Sequence, residues 1–150
     1  MSCRSILVVE DDEDIRRQVV RALEAEDHTV YSAENGKVAL DFLLNAKLED
    51  LPGCIILDLM MPIMDGKTMM ETIDKHYKER LGMIPVLIAT AKGSLVDQSN
   101  FLQAVVRIQK PFDLDELYQA VEKHCGKPIW SYPEKVDNDL RGERLLELDG

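Results

Sequence analysis

Cys54 to Asp65 reads CIILDLMMPIMD, a short apolar run that ends on a carboxylate and passes through a Met-Pro turn to a second acid. Cys54, Ile55, Ile56 and Leu57 carry no polar residue between them, so the segment reads as a buried strand. Such strands belong to parallel sheets covered by helices, and those sheets bind ligands beyond the carboxyl ends of their strands. Asp58, left at the mouth of the strand, is therefore the first candidate for a reacting residue.

Upstream, Ser5 to Val9 is a second apolar run, and Glu10, Asp11, Asp12, Glu13 and Asp14 follow at once. Ile15, Val19, Val20 and Leu23 then recur at helical spacing, with Arg16, Arg17, Arg21 and Glu24 on the other face. Helix capping explains part of the acidic cluster. His28 to Ala33 reads as a half-polar strand, and Asn35-Gly36 opens a helix with Val38, Ala39, Phe42 and Leu43 facing inward. Asn45 to Gly53 is a polar loop.

Downstream of Asp65-Gly66, Met69, Met70, Ile73 and Tyr77 mark a third helix, its methionines serving as core filler. Pro85 to Thr90 is a fourth buried strand that ends in a hydroxyl. Gly93 to Gln103 is a weakly patterned helix, and Ala104 to Gln109 is a fifth strand that closes on Lys110-Pro111. Asp113 caps a fifth helix, with Glu116 as its capping-box partner and Leu114, Leu117, Tyr118 and Val121 as its buried stripe. Five strands alternating with five helices through short connections predict a doubly wound α/β domain over residues 1–126. Residues 127–150 form a tail that is either flexible or makes one short helix through Leu140, Leu145 and Leu148.

Bulk composition narrows the partners. The 150 residues are enough for one domain, and 45% of them are apolar. With 28 acids against 18 bases, a net charge of -10 and a pI near 4.7, the chain is unsuited to nucleic acid or to an anionic membrane. The three cysteines, Cys3, Cys54 and Cys125, are far apart and suggest neither a disulfide framework nor a zinc site, so a cytoplasmic location is expected. The first apolar run is too short for a signal peptide or a membrane span.

In a parallel sheet the residues that follow the strands share one edge. That edge collects Glu10 and Asp11 after the first strand, Asp58 after the third, Thr90 after the fourth and Lys110 after the fifth. Three clustered carboxylates need a shared proton or a cation, and oxygen-only ligands with room for water suit Mg2+. A lysine and a hydroxyl aimed at the same point complete a phosphate site. The set reads as a carboxylate that accepts a phosphoryl group.

The strings VVEDDEDIRR, LDLMMPIMDG, ATA and KPF, in this order and at these spacings, resemble the receiver domain of two-component response regulators over roughly Ser5 to Gly126. The resemblance implies a five-stranded flavodoxin-like sheet of order 2-1-3-4-5 and phosphoryl transfer to Asp58 from a sensor histidine kinase or a phosphotransfer protein. It implies that Asp11 and Asp58 ligate Mg2+ directly, that Glu10 acts through water, and that Met60 offers its backbone carbonyl. Thr90 and Lys110 would bond the phosphoryl group, and Lys110-Pro111 would be cis. Met60 and Lys92 occupy positions that tune phosphoryl lifetime.

Two departures stand out. Arg107 occupies the switch position where the family usually has an aromatic ring, and Phe101-Leu102-Gln103-Ala104 replaces the customary Gly-Ala. The expected function is a stand-alone signalling receiver, a monomer or weak dimer, that acts on an unknown downstream protein and catalyses only its own phosphorylation and dephosphorylation. The competing reading is a phosphatase of the haloacid dehalogenase type. That type needs an acid two residues past the nucleophile, where this chain has Met60.

Overall fold

The computed structural model describes residues 5–59, 61, 63–91, 103–111 and 113–125. Five parallel strands, β1 (Ile6–Val9), β2 (Val30–Ala33), β3 (Cys54–Asp58), β4 (Val86–Ala91) and β5 (Ala104–Lys110), form one sheet of order β2-β1-β3-β4-β5. Between and after them run α1 (Glu13–Ala25), α2 (Gly36–Asn45), α3 (Gly66–His76), the single turn α4 (Lys78–Leu81) and α5 (Leu114–His124), with a 3-10 turn at Leu48–Asp50. This is the flavodoxin-like α/β fold with strand order 2-1-3-4-5. The helix expected over Gly93 to Gln103 lies outside the described residues except for Gln103, as does the whole of residues 127–150.

Strand pleating sorts the buried side chains into two layers. Leu7 and Val9 of β1, Ile55 and Leu57 of β3 and Val86 and Ile88 of β4 pack with Ala39, Leu43, Met69 and Ile73 from α2 and α3. The alternate residues, Ile6, Val8, Ile56 and Leu87, pack with Val19 and Leu23 of α1 and with Leu117 and Val121 of α5. Each fully buried aliphatic side chain contributes about 1.5–3 kcal/mol, so the two layers together anchor every strand.

Four helices begin on side-chain caps. Ile15 N–H donates to Asp12 at 3.0 Å, Val38 N–H to Asn35 at 2.9 Å, Thr68 N–H to Asp65 at 2.8 Å and Asp115 N–H to Asp113 at 2.9 Å. The α1 cap divides the acidic cluster: Asp12 serves the helix, and Glu10 and Asp11 precede it at the sheet edge. Chain order steps over β1 in going from β2 to β3, so the ends of β1 and β3 flank the switch point of the topology.

Several expectations are corrected. Val38 is 42% exposed, and Leu40 takes its place inside α2. Leu114 is 46% exposed and stands outside the stripe formed by Leu117, Ala120 and Val121. Cys54 is a free, buried thiol whose pKa is pushed by burial up to about 12, whereas Cys125 is disulfide-bonded. The fold brings the end of α5 beside the start of β1, where Cys125 Sγ lies 3.7 Å from the Ser5 carbonyl oxygen.

Gly66 fixes how closely α3 approaches the end of β3. Its N–H donates to the Leu59 carbonyl at 3.1 Å, and a Cβ at this position would stand 2.5 Å from the Asp58 carbonyl oxygen and 2.9 Å from Leu59 Cα. Backbone cannot retreat as a flexible side chain can. Gly66→Ala is therefore expected to destabilise the protein by about 1–3 kcal/mol in urea unfolding, despite the better helix propensity of alanine.

Candidate functional site

The ends of β1, β3 and β5 each deliver one charged group to the same edge. Glu10 follows β1 and Asp58 ends β3, and both are buried. Lys110 ends β5 and reaches back across the end of β4. Its ammonium lies 2.7 Å from Glu10 Oε1 and 3.1 Å from Asp58 Oδ2, donating to both carboxylates. Charge-assisted hydrogen bonds of this length and burial far exceed a surface ion pair in strength, because little water is left to screen them.

Glu10 is held from three directions. Its Oε2 accepts from the Asp12 N–H at 3.1 Å, its Oε1 faces Lys110, and its backbone carbonyl accepts from Arg16 Nη1 at 2.9 Å. Arg16 was invisible as a site residue in the sequence, where it reads as one more cation on the polar face of α1. Burial pushes the Glu10 carboxyl up to about 7, with Lys110 and the Asp12 N–H pulling it down and the Asp58 charge adding to the rise. For Lys110, burial acts downward, but the hydrogen bonds and charges of Glu10 and Asp58 outweigh it and raise the ammonium above its ordinary value.

Asp11 is exposed beside this pair. One carboxylate oxygen from each of Glu10, Asp11 and Asp58 lies within 4.8 Å of the others. Fully ionised, three carboxylates against one ammonium leave two negative charges in excess. An all-oxygen donor set with that excess fits a hard divalent cation such as Mg2+. Both Glu10 oxygens already accept protein hydrogen bonds, so Asp11 and Asp58 are better placed as direct ligands.

The remaining candidates fall as follows. Thr90 is in β4, in register with Gln109 of β5 and one position beyond the Asp58–Ala89 pair, and is placed by its backbone alone. The Lys110–Pro111 peptide bond is cis. Arg107 is exposed on β5, opposite Ile88, and does not enter the interior as an aromatic ring would. Met60 and Lys92 lie outside the described residues. Gln103 has a structural role that the sequence did not announce: its buried side-chain amide donates to the Leu81 carbonyl at 3.2 Å and the Ile84 carbonyl at 2.8 Å. It ties the approach to β4 to the start of β5.

Residues 6–122 match the family described as the response regulator receiver domain. The chain is similar to sporulation initiation phosphotransferase F of Bacillus subtilis, 33% identical over 83% of this chain and 95% of that protein. It is also similar to the transcriptional regulatory protein CpxR of Escherichia coli, 30% identical over 96% of this chain but only 58% of that protein. A CheY-like response regulator receiver domain protein from Methanospirillum hungatei is 28% identical with a TM-score of 0.68, over 81% of this chain and 93% of that one. Among the described residues, no helix is long and apolar enough to cross a membrane.

The raised Glu10 carboxyl has a measurable consequence for the metal-free protein. Between the ordinary carboxyl value of 4.5 and about 7, the folded state holds a proton that the unfolded state has released. Stability should therefore fall as pH rises through this window and level off above it. Urea unfolding in EDTA from pH 4.5 to 8 should show that slope, and Glu10→Gln should flatten it.

Proposed function

The chain belongs to the response regulator receiver domain family, and on that premise we propose that it is a signalling phosphoacceptor whose Asp58 takes a phosphoryl group from a sensor histidine kinase or phosphotransfer protein. The observation that carries this reading is the Lys110 ammonium 3.1 Å from Asp58 and 2.7 Å from Glu10, with Asp11 at the same carboxylate cluster. A nucleophilic carboxylate, a fixed positive charge and a cation-binding acid set within one contact shell are what phosphoryl transfer requires.

In the transfer, an Asp58 oxygen forms the new O–P bond as the P–N bond of the donor phosphohistidine breaks. The imidazole leaves with the electron pair and takes a proton from solvent. Lys110 offsets the charge gathered on the phosphoryl oxygens, and Glu10, bonded to the same ammonium, holds Lys110 in position. Thr90 is the hydroxyl assigned to bond the phosphoryl group once it is attached. Asp11 and Asp58 would hold Mg2+, with Glu10 acting through water, and the ion would supply further positive charge to the same oxygens.

Signalling then rests on binding a downstream protein in the phosphorylated state. The receiver spans residues 1–126, with 127–150 as an appended tail.

Acetyl phosphate with Mg2+ tests the chemistry. One acid-stable, alkali-labile phosphate per chain is expected, absent in Asp58→Asn and after EDTA. Lys110→Ala should slow labelling about 10²-fold, and Asp11→Asn should raise the Mg2+ concentration required. Continuous turnover of ordinary phosphate esters, or undiminished labelling of Asp58→Asn, would overturn the reading.

A further inference from the structure

Ile63 stands in the loop between β3 and α3 with a φ of 69° and 80% of its surface exposed. That backbone region suits glycine or asparagine, and a β-branched side chain held in it is under strain. Among the described residues the other non-glycine with positive φ is Asp27, just past the end of α1, a residue type that visits this region readily. Strain persists only where the surroundings impose it. Here they do so on both sides of Ile63. Gly66 N–H donates to the Leu59 carbonyl at 3.1 Å and closes the loop, and Gly36 N–H, at the start of α2, donates to the Met64 carbonyl at 2.9 Å. Asp65 is held as the cap of α3 by the Thr68 N–H at 2.8 Å, and the half-buried Met61 and Met64 pack on the α2–α3 layer. The methionines anchor the loop, and Ile63 is left outside between them.

An isoleucine exposed to this extent adds little to the core, so the interior gives no reason for the strain. The place of the loop gives one. A Cβ on Gly66 would stand 2.5 Å from the Asp58 carbonyl oxygen, so Gly66 lies against the residue that ends β3. Ile63 is three residues before Gly66, a span of at most about 11 Å, which puts it within roughly 15 Å of Asp58. A protein interface of ordinary size covers about 800 Å2 on each partner, a disc of roughly 16 Å radius. A donor protein that centres its phosphohistidine on Asp58 therefore covers Ile63 as well, whereas a small phosphoryl donor does not reach it.

We propose that Ile63 is a docking residue for the phosphohistidine protein that feeds Asp58, its side chain entering an apolar recess beside the donor's histidine. The inference rests on the phosphoacceptor reading and adds to it a residue that tells one donor from another. The imposed backbone holds the isoleucine in its exposed position before the donor arrives, so little freedom is lost in the encounter. Covering its aliphatic surface then favours the complex. A donor with a polar group at the facing position leaves that group unpaired and is disfavoured.

The test compares Ile63→Gly, Ile63→Asn and Ile63→Leu in the full chain with three phosphoryl donors. Acetyl phosphate and monophosphoimidazole are small, and the second carries the same P–N bond as phosphohistidine. The third donor is whichever of a panel of autophosphorylated histidine kinase cores labels the wild-type chain fastest, with Asp58→Asn as the blank. Transfer from that core should fall roughly tenfold in kcat/KM for Ile63→Gly and Ile63→Asn and stay within about twofold for Ile63→Leu. Both small donors should label all three variants within about twofold of wild type. Ile63→Gly and Ile63→Asn should also melt about 2–4 °C higher, because they relieve the strain. Unchanged transfer from the core to these two variants, an equal loss with the small donors, or an unraised melting temperature would overturn the proposal. So would labelling of the wild type by the small donors but by none of the cores, a result that leaves the phosphoacceptor reading standing. Failure of every donor to label Asp58 in the wild type would overturn that reading, and this inference with it.

Discussion

Lys110 is the constraint on which the site depends. Without an ammonium between them, Glu10 and Asp58 would be two buried carboxylates at neighbouring strand ends, and burial with like charge would keep one of them protonated. The lysine enters from β5, two strands away from β3 in the chain's own order and across the end of β4. Its reach therefore relies on the register of three strands at once. A buried ion pair of this kind is weak evidence for stability, because desolvation offsets much of the attraction. Its value is in specifying where each strand must end.

The fold supplies that register through ordinary means. Alternating aliphatic residues lock β1, β3 and β4 between two helical layers, Gly66 lets α3 close on the backbone of Asp58, and Gln103 joins the approach to β4 to the start of β5. Cap residues then set where α1, α2, α3 and α5 begin. Asp12 illustrates the economy of the arrangement: its side chain caps α1 and its backbone N–H donates to Glu10, so one residue starts the helix and orients the acid next to it.

Much of this is legible in the sequence, because the informative residues obey local rules. A wholly apolar run such as Cys54–Leu57 can only be a strand buried on both faces of a sheet or a piece of buried helix, and Asp58 with the Met-Pro turn chooses between them. Helix rotation was less legible. In α2, six of ten residues are apolar, so periodicity alone did not decide whether Val38 or Leu40 faces inward. Leu114 misled for a related reason: it continues the spacing of the α5 stripe, but it is the first residue of the helix and stands 46% exposed. Gln103 and Arg80 of the single turn α4 act through contacts with backbone far away in sequence, which no local pattern encodes, and Arg16 reaches back from α1 to the Glu10 carbonyl. The acidic cluster was half legible, since capping and ligation use the same residue types.

The division of the interior into two layers has a consequence for how such a molecule can change over generations. Ile6 and Val8 belong to one layer and Leu7 and Val9 to the other, so a substitution in β1 disturbs the packing on a single side of the sheet. Drift on the α2–α3 side and drift on the α1–α5 side are then nearly independent experiments, each judged by its own neighbours. Only the edge where Glu10, Asp58 and Lys110 meet answers to both. A lineage is free to remodel one flank for a new acquaintance while the other flank, and the chemistry between them, is inherited unaltered.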